Sequence, residues 1–143
     1  MATQVRFLSL FVSDLEDAAR RYEAFLGVAP SKPGALAADP APNAFPPAAA
    51  ARPPAPHPFA SAGPVVFDLG AVALALYQID GRTTQAGDLG IGLETDEPAA
   101  ALAKRSQAQG GQPFHGPAPL PGGDRNLVIL MTPERHFFEI VGG

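Results

Sequence analysis

The sequence predicts an α+β fold made of two copies of one strand–helix–hairpin unit. Three observations carry that reading. Two β-rich apolar runs end at Ser13-Asp14 and Thr95-Asp96. Each is followed by apolar residues at helical spacing that stop at glycine, at Gly27 and at Gly110-Gly111. Each helical stretch is then followed, at some distance, by a pair of short apolar runs. Superimposing Asp14 on Asp96 brings strand onto strand, helix onto helix and Ala18 onto Ala100, which is the signature of an internal duplication. One unit alone would leave a sheet face bare, and two together can cover it.

The elements follow in order. Val5–Val12 reads as a strand. Ser13 with Glu16 three residues later has the spacing of a capping box. Leu15, Ala18, Ala19, Tyr22, Phe25 and Leu26 make the apolar stripe of the first helix, and Gly27 ends it as a left-handed cap. Val65–Leu69 and Val72–Tyr77 form a hairpin around Gly70. In the second half, Leu89–Leu93 is a strand. A helix starts at Thr95-Asp96 with Pro98 in its first turn, and Leu102 and the alanines form its apolar face. A Pro/Gly-rich turn over Pro117–Gly123 precedes the strands Asn126–Met131 and His136–Val141, which connect through Thr132–Arg135.

Between the halves lies an excursion. Eleven of the 17 prolines fall between Pro30 and Pro64, with charge only at Lys32, Asp39 and Arg52. Proline removes backbone donors and disfavours helix at the residue before it, so this stretch predicts an irregular or polyproline-like path. It reads either as a plain linker or as a lid over a binding site anchored by Phe45 and Phe59. The division expected is a single domain over 1–143, with module one at 1–80, the excursion at 30–64 and module two at 86–143.

Composition bounds the function. The 143 residues are 46% hydrophobic, enough for a packed core. A net charge of −4 argues against nucleic acid as a partner. The absence of cysteine excludes disulfides, thiolate catalysis and thiolate-ligated metal. No apolar run is long enough to span a bilayer, and no secretory leader is evident, so no membrane partner is expected and a cytoplasmic location follows by default.

Phe11-Val-Ser-Asp-Leu15 through Tyr22, Phe25-Leu-Gly27, Asp68–Tyr77, Leu93-Glu-Thr-Asp96 and Thr132–Val141 together resemble the vicinal oxygen chelate superfamily. That superfamily holds glyoxalase I, extradiol dioxygenases, fosfomycin-resistance enzymes and bleomycin-binding resistance proteins. The resemblance covers nearly the whole chain outside the excursion. It implies tandem βαβββ modules whose curved mixed sheets form a cup with the helices outside. It also implies a divalent metal held by four strand positions, and a homodimer. Carried over residue by residue, those positions fall on Phe7, Ala75, Gly90 and Glu139, and only Glu139 has a ligand-type side chain. Their neighbours Ser9, Leu74, Leu76, Leu89, Ile91, Phe138 and Ile140 are no better. Zinc and hard cations need several donors, so neither a metal nor another cofactor is expected.

Strand parity with those positions predicts the cup lining: Phe7, Ser9 and Phe11; Ala73, Ala75 and Tyr77; Gly90, Gly92 and Glu94; Phe137, Glu139 and Val141. Leu8, Leu10, Val12, Leu74, Leu76, Ile91, Leu93, Phe138 and Ile140 fall on the opposite, helix-packed face. Two glycines and two alanines leave room, and aromatic side chains supply flat walls, which suits a planar apolar small molecule. The plain alternative is that the aromatics fill a ligand-free core. Ligand-binding candidates are therefore Phe7, Ser9, Phe11, Ala75, Tyr77, Gly90, Gly92, Phe137 and Glu139. Glu139 must be neutral, paired or hydrated, and could serve as a general base. His57 is expected in solvent, His115 in a turn, and His136 off the cup face. Metal-independent sequestration of a planar molecule, as in the drug-binding antibiotic-resistance branch, leads. A metal-dependent lyase, isomerase or dioxygenase, and a metal-free enzyme using Glu139 or Tyr77, stay open.

Overall fold

A computed structural model describes residues 3–31, 53–121 and 123–143. The proposed anchor Phe45 lies outside them. The elements are β1 (Thr3–Val12), α1 (Leu15–Leu26), β2 (Val65–Asp68), β3 (Ala73–Gln78), β4 (Leu89–Thr95), α2 (Ala99–Ala108), β5 (Gln112–Pro119), β6 (Asn126–Met131) and β7 (Phe137–Gly142). The strands form one seven-stranded mixed sheet in the order β2-β3-β1-β4-β7-β6-β5.

The duplication is visible in the pairing. β1 runs parallel to β3 and β4 parallel to β7, while β2 with β3 and β6 with β7 are antiparallel hairpins. The two halves meet through antiparallel β1 and β4, so one chain joins both modules. Ser31 bridges to Val66 beside β2, in the place that β5 takes beside β6.

Local chemistry sets the helix ends. Asp14, not Ser13, caps α1: its extended backbone lets the carboxylate accept from the Asp17 amide at 3.0 Å. Gly27 at φ +70° donates its amide to the Glu23 carbonyl at 2.9 Å, a left-handed stop. Phe25 departs from the expected stripe. It is 77% exposed and, among the described aromatic rings, meets only that of Tyr22, edge-on. α2 begins later than Thr95-Asp96, because Thr95 stays in β4 and Pro98 takes the cap position.

β5 replaces the expected Pro/Gly-rich turn. Three prolines within it argue against a central strand, but among the described residues β5 is an edge strand paired only to β6, with register shifts around Phe114 and between His115 and Ala118. Gly116 at φ +83° lies within that second shift. A side chain there would collide with the Leu127 carbonyl.

The two sheet faces separate as parity predicts. Leu8, Leu10, Val12, Leu74 and Leu76 pack on α1 around Ala18 and Phe67. Leu93, Phe138 and Ile140 pack on α2 around Ala99 and Ala103, with Val128 and Leu130. The other face carries a third cluster built from Phe7, Phe11, Ala73, Ala75, Tyr77 and Val141, joined by Val66, Leu127 and Ile129. Among the described residues, no helix is long and apolar enough to cross a membrane.

Candidate functional site on the concave face

The face away from the helices is covered by the chain itself. Residues 53–61 cross it as a strap and bury Pro53, Pro54, His57 and Phe59. The expected roomy hollow is therefore filled, and His57 is not in solvent: its side chain is fully buried. Sequence composition pointed away from burial here because proline-rich stretches are usually solvated. The signal that could have been used was the pair of bulky rings, His57 and Phe59, close together in a stretch otherwise made of proline and alanine, which a turn at 57–60 brings to the sheet.

His57 organises the site. Its Nδ1 accepts from the Phe59 amide at 3.0 Å. The ring proton therefore sits on Nε2, which lies 2.6 Å from Glu139 Oε2 and donates to it. Ser9 Oγ donates to the other carboxylate oxygen at 2.5 Å. Glu139 is thus paired by one sheet group and one strap group, which resolves the cost of burying it. The Tyr77 hydroxyl donates to the Pro54 carbonyl at 2.5 Å, a second tie between wall and strap. Ring contacts complete the shell: His57 meets Tyr77 at 4.7 Å and Phe11 edge-on at 5.1 Å. Phe59 meets Phe137 edge-on at 5.8 Å.

The two glycines make room for side chains of this chain. The Cβ position of Gly92 is occupied by the Phe7 ring, and that of Gly90 by the Glu139 carboxylate. Register explains this. Ala75, Ser9, Gly90 and Phe137 form one cross-strand row, and Ala73, Phe7, Gly92 and Glu139 the next. The large side chains of one row lean over the small residues beside them. Free volume survives at one end, as a cavity of about 260 Å³ between Pro53–Ala55, Leu120, Arg125 and Val141. Beyond Val141, buried Glu94 faces Arg125 at 3.3 Å and Arg6 at 4.0 Å, so it forms a charge cluster and not an open wall.

All nine candidate residues lie on this face, and the structure brings Ser9, Tyr77 and Glu139 together with His57, which the sequence reading had set aside. His115 lies on β5 rather than in a turn, and burial, then the nearby His57, holds its imidazole below the ordinary histidine range. His136 is exposed in the turn before β7.

The donor set does not fit the divalent metal that the resemblance implies. At the four carried-over positions Glu139 is the single ligand-type residue, and both its oxygens already accept hydrogen bonds. His57 is one further donor, short of the three or four that zinc takes. Among the described residues, no cluster of three His, Asp or Glu side chains could hold an ion.

Burial, and next the charge of Glu139, push the Tyr77 phenol well above its ordinary value, against a smaller opposite effect of Ser9. A group raised on folding stabilises the fold below its unfolded value and loses that contribution as pH rises past it. Stability should therefore fall above pH ~10. In a Tyr22→Phe background, phenolate absorbance should develop only together with unfolding. A Tyr77 phenolate appearing in the folded protein at its ordinary value would contradict this burial.

A hypothetical protein from Bacillus halodurans C-125 superposes with a TM-score of 0.63 at 10% identity, over 100% of this chain and 96% of that one. A glyoxalase/bleomycin resistance protein/dioxygenase superfamily member from Vibrio splendidus 12B01 gives 0.56 at 12% identity, over 99% and 100%. Methylmalonyl-CoA epimerase from Mycobacterium tuberculosis gives 0.54 at 14% identity, over 96% and 86%. The chain has the fold of the vicinal oxygen chelate proteins. No protein-family model and no curated protein matches the sequence.

Proposed function

We propose that this protein binds a flat, mostly apolar small molecule on its concave face without a metal ion. One observation carries the reading. A buried carboxylate, Glu139, stands among aromatic walls on the sheet, and half of its hydrogen bonding comes from a strap rather than from the sheet. A core that served only stability would be expected to close over apolar groups, since replacing buried polar clusters by apolar packing is often neutral or stabilising. With the strap raised, Phe7, Phe11, Tyr77 and Phe137 offer stacking surface, and Ser9, Tyr77 and Glu139 fix orientation.

The test is ligand-observed NMR on the full chain in EDTA, with a panel of flat aromatic molecules. Saturable binding that weakens about tenfold in Phe137→Ala is the expected result, in line with loss of one aromatic contact. Phe137 is half-buried at the rim, so its removal spares the centre of the fold. Binding that requires an added divalent ion would replace this reading with metal-dependent chemistry. No binding at all would leave a filled scaffold.

A further inference from the structure

We propose that His57 is the built-in occupant of the concave site, and that the ligand displacing it is a flat nitrogen heterocycle with an N–H donor at its edge. The inference rests on the binding role proposed above and adds the chemical class of the ligand and the competition with the strap.

The His57 ring is held as a bound molecule would be. Aromatic rings flank it at 4.7 Å (Tyr77), 5.1 Å (Phe11) and 5.4 Å (Phe59). One ring nitrogen donates to Glu139 at 2.6 Å. The second accepts from the Phe59 amide, a group that belongs to the strap itself. The sheet therefore asks for only two things: a planar ring and a donor aimed at Oε2. Oxygen heterocycles, thiophenes and carboxylates meet the first requirement at most, and an anion would face the Glu139 charge.

The strap is built to leave. Pro53, Pro54, Pro56 and Pro58 have no amide hydrogen, so four of the six residues from 53 to 58 cannot donate to a ladder. Ladder contact begins only at Ala60, bridged to Ile79. There the strap is anchored: Ser61 donates to the Gln78 carbonyl, and the Phe59 carbonyl accepts from the Asp80 amide and the Thr84 hydroxyl. Among the described residues before that anchor, the hydrogen bonds to the sheet are those of His57 and of the Pro54 carbonyl with Tyr77. The cavity of about 260 Å³ borders Pro53–Ala55, so space to begin lifting the strap already exists at that end.

The experiment uses the full chain and three five-membered rings of one shape. Imidazole and pyrrole carry the N–H donor, and thiophene does not. In His57→Gly, imidazole and pyrrole at about ten times their dissociation constants should raise the melting temperature by roughly 5 °C, and thiophene should not. In the unaltered protein, imidazole should speed hydrogen exchange at the Phe59 amide, which is buried with His57 while the strap is closed and meets water when the His57 ring is displaced, and thiophene should not. This second arm stands even if His57→Gly fails to fold. Equal stabilisation by thiophene and pyrrole, or no change in Phe59 exchange with imidazole, overturns the proposal. If flat rings without an N–H bind the native chain while imidazole and pyrrole have no effect, the binding role survives and the ligand class falls. If nothing binds, both fall.

Discussion

Glu139→Ala should lower the free energy of unfolding by about 3 kcal/mol, read as a shift in the denaturant midpoint at constant slope. The substitution removes the acceptor of two buried donors at once, Ser9 Oγ–H and His57 Nε2–H. The His57 proton has no other route, because its tautomer is locked by the Phe59 amide on the opposite nitrogen, whereas the buried Ser9 hydroxyl can turn to the neighbouring Tyr77 oxygen at some loss. Each orphaned donor costs about 1–3 kcal/mol, and a cavity adds to it. Glu139→Gln should be much milder, about 1 kcal/mol, because its carbonyl can accept from His57 while its amide donates to Ser9. Equal losses in the two variants would mean that charge, not hydrogen-bond count, holds the cluster together.

Gly92→Ala should cost about 3 kcal/mol, although it adds one methyl group. That methyl would be built 2.3–2.4 Å from the Phe7 ring. Phe7 is fully buried in the concave cluster, so the ring has no open direction in which to retreat. Adding Phe7→Leu should recover part of the loss, giving a favourable coupling in the double-mutant cycle. Simple additivity of the two changes would mean that the ring and the glycine are not in competition for the same volume. Gly90→Ala tests a different neighbour. There the displaced group is the Glu139 carboxylate end, at 2.7 Å, which can swing away but loses its bonds to Ser9 and His57 in doing so.

Much of the fold was legible because it rests on local signals. The period-two alternation of Phe7, Ser9 and Phe11 against Leu8, Leu10 and Val12 assigned both sheet faces, and the clusters on α1 and on the concave side obey it. Gly27 marked a helix end that its positive φ explains. β5 was missed because Pro113, Pro117 and Pro119 read as turn residues, and only an edge position makes them compatible with a strand. Ser13 with Glu16 has the familiar capping-box spacing, but Asp14 one residue later has the geometry.

The site was legible by half. Ser9, Tyr77 and Glu139 follow from parity with the positions that the resemblance carries over, since a strand carries its side chains to a face whatever lies above it. His57 does not. It reaches Glu139 across 82 residues of chain, through a proline-rich stretch whose composition says only that it is not a helix.

What the sequence by itself determined is which side chains each strand presents to which face, because that is a property of backbone geometry repeated every two residues. What the tertiary structure alone decided is what covers the inner face. Closure of residues 53–61 over the sheet depends on long-range complementarity between a ring, a carboxylate and an aromatic wall, and no local period encodes it.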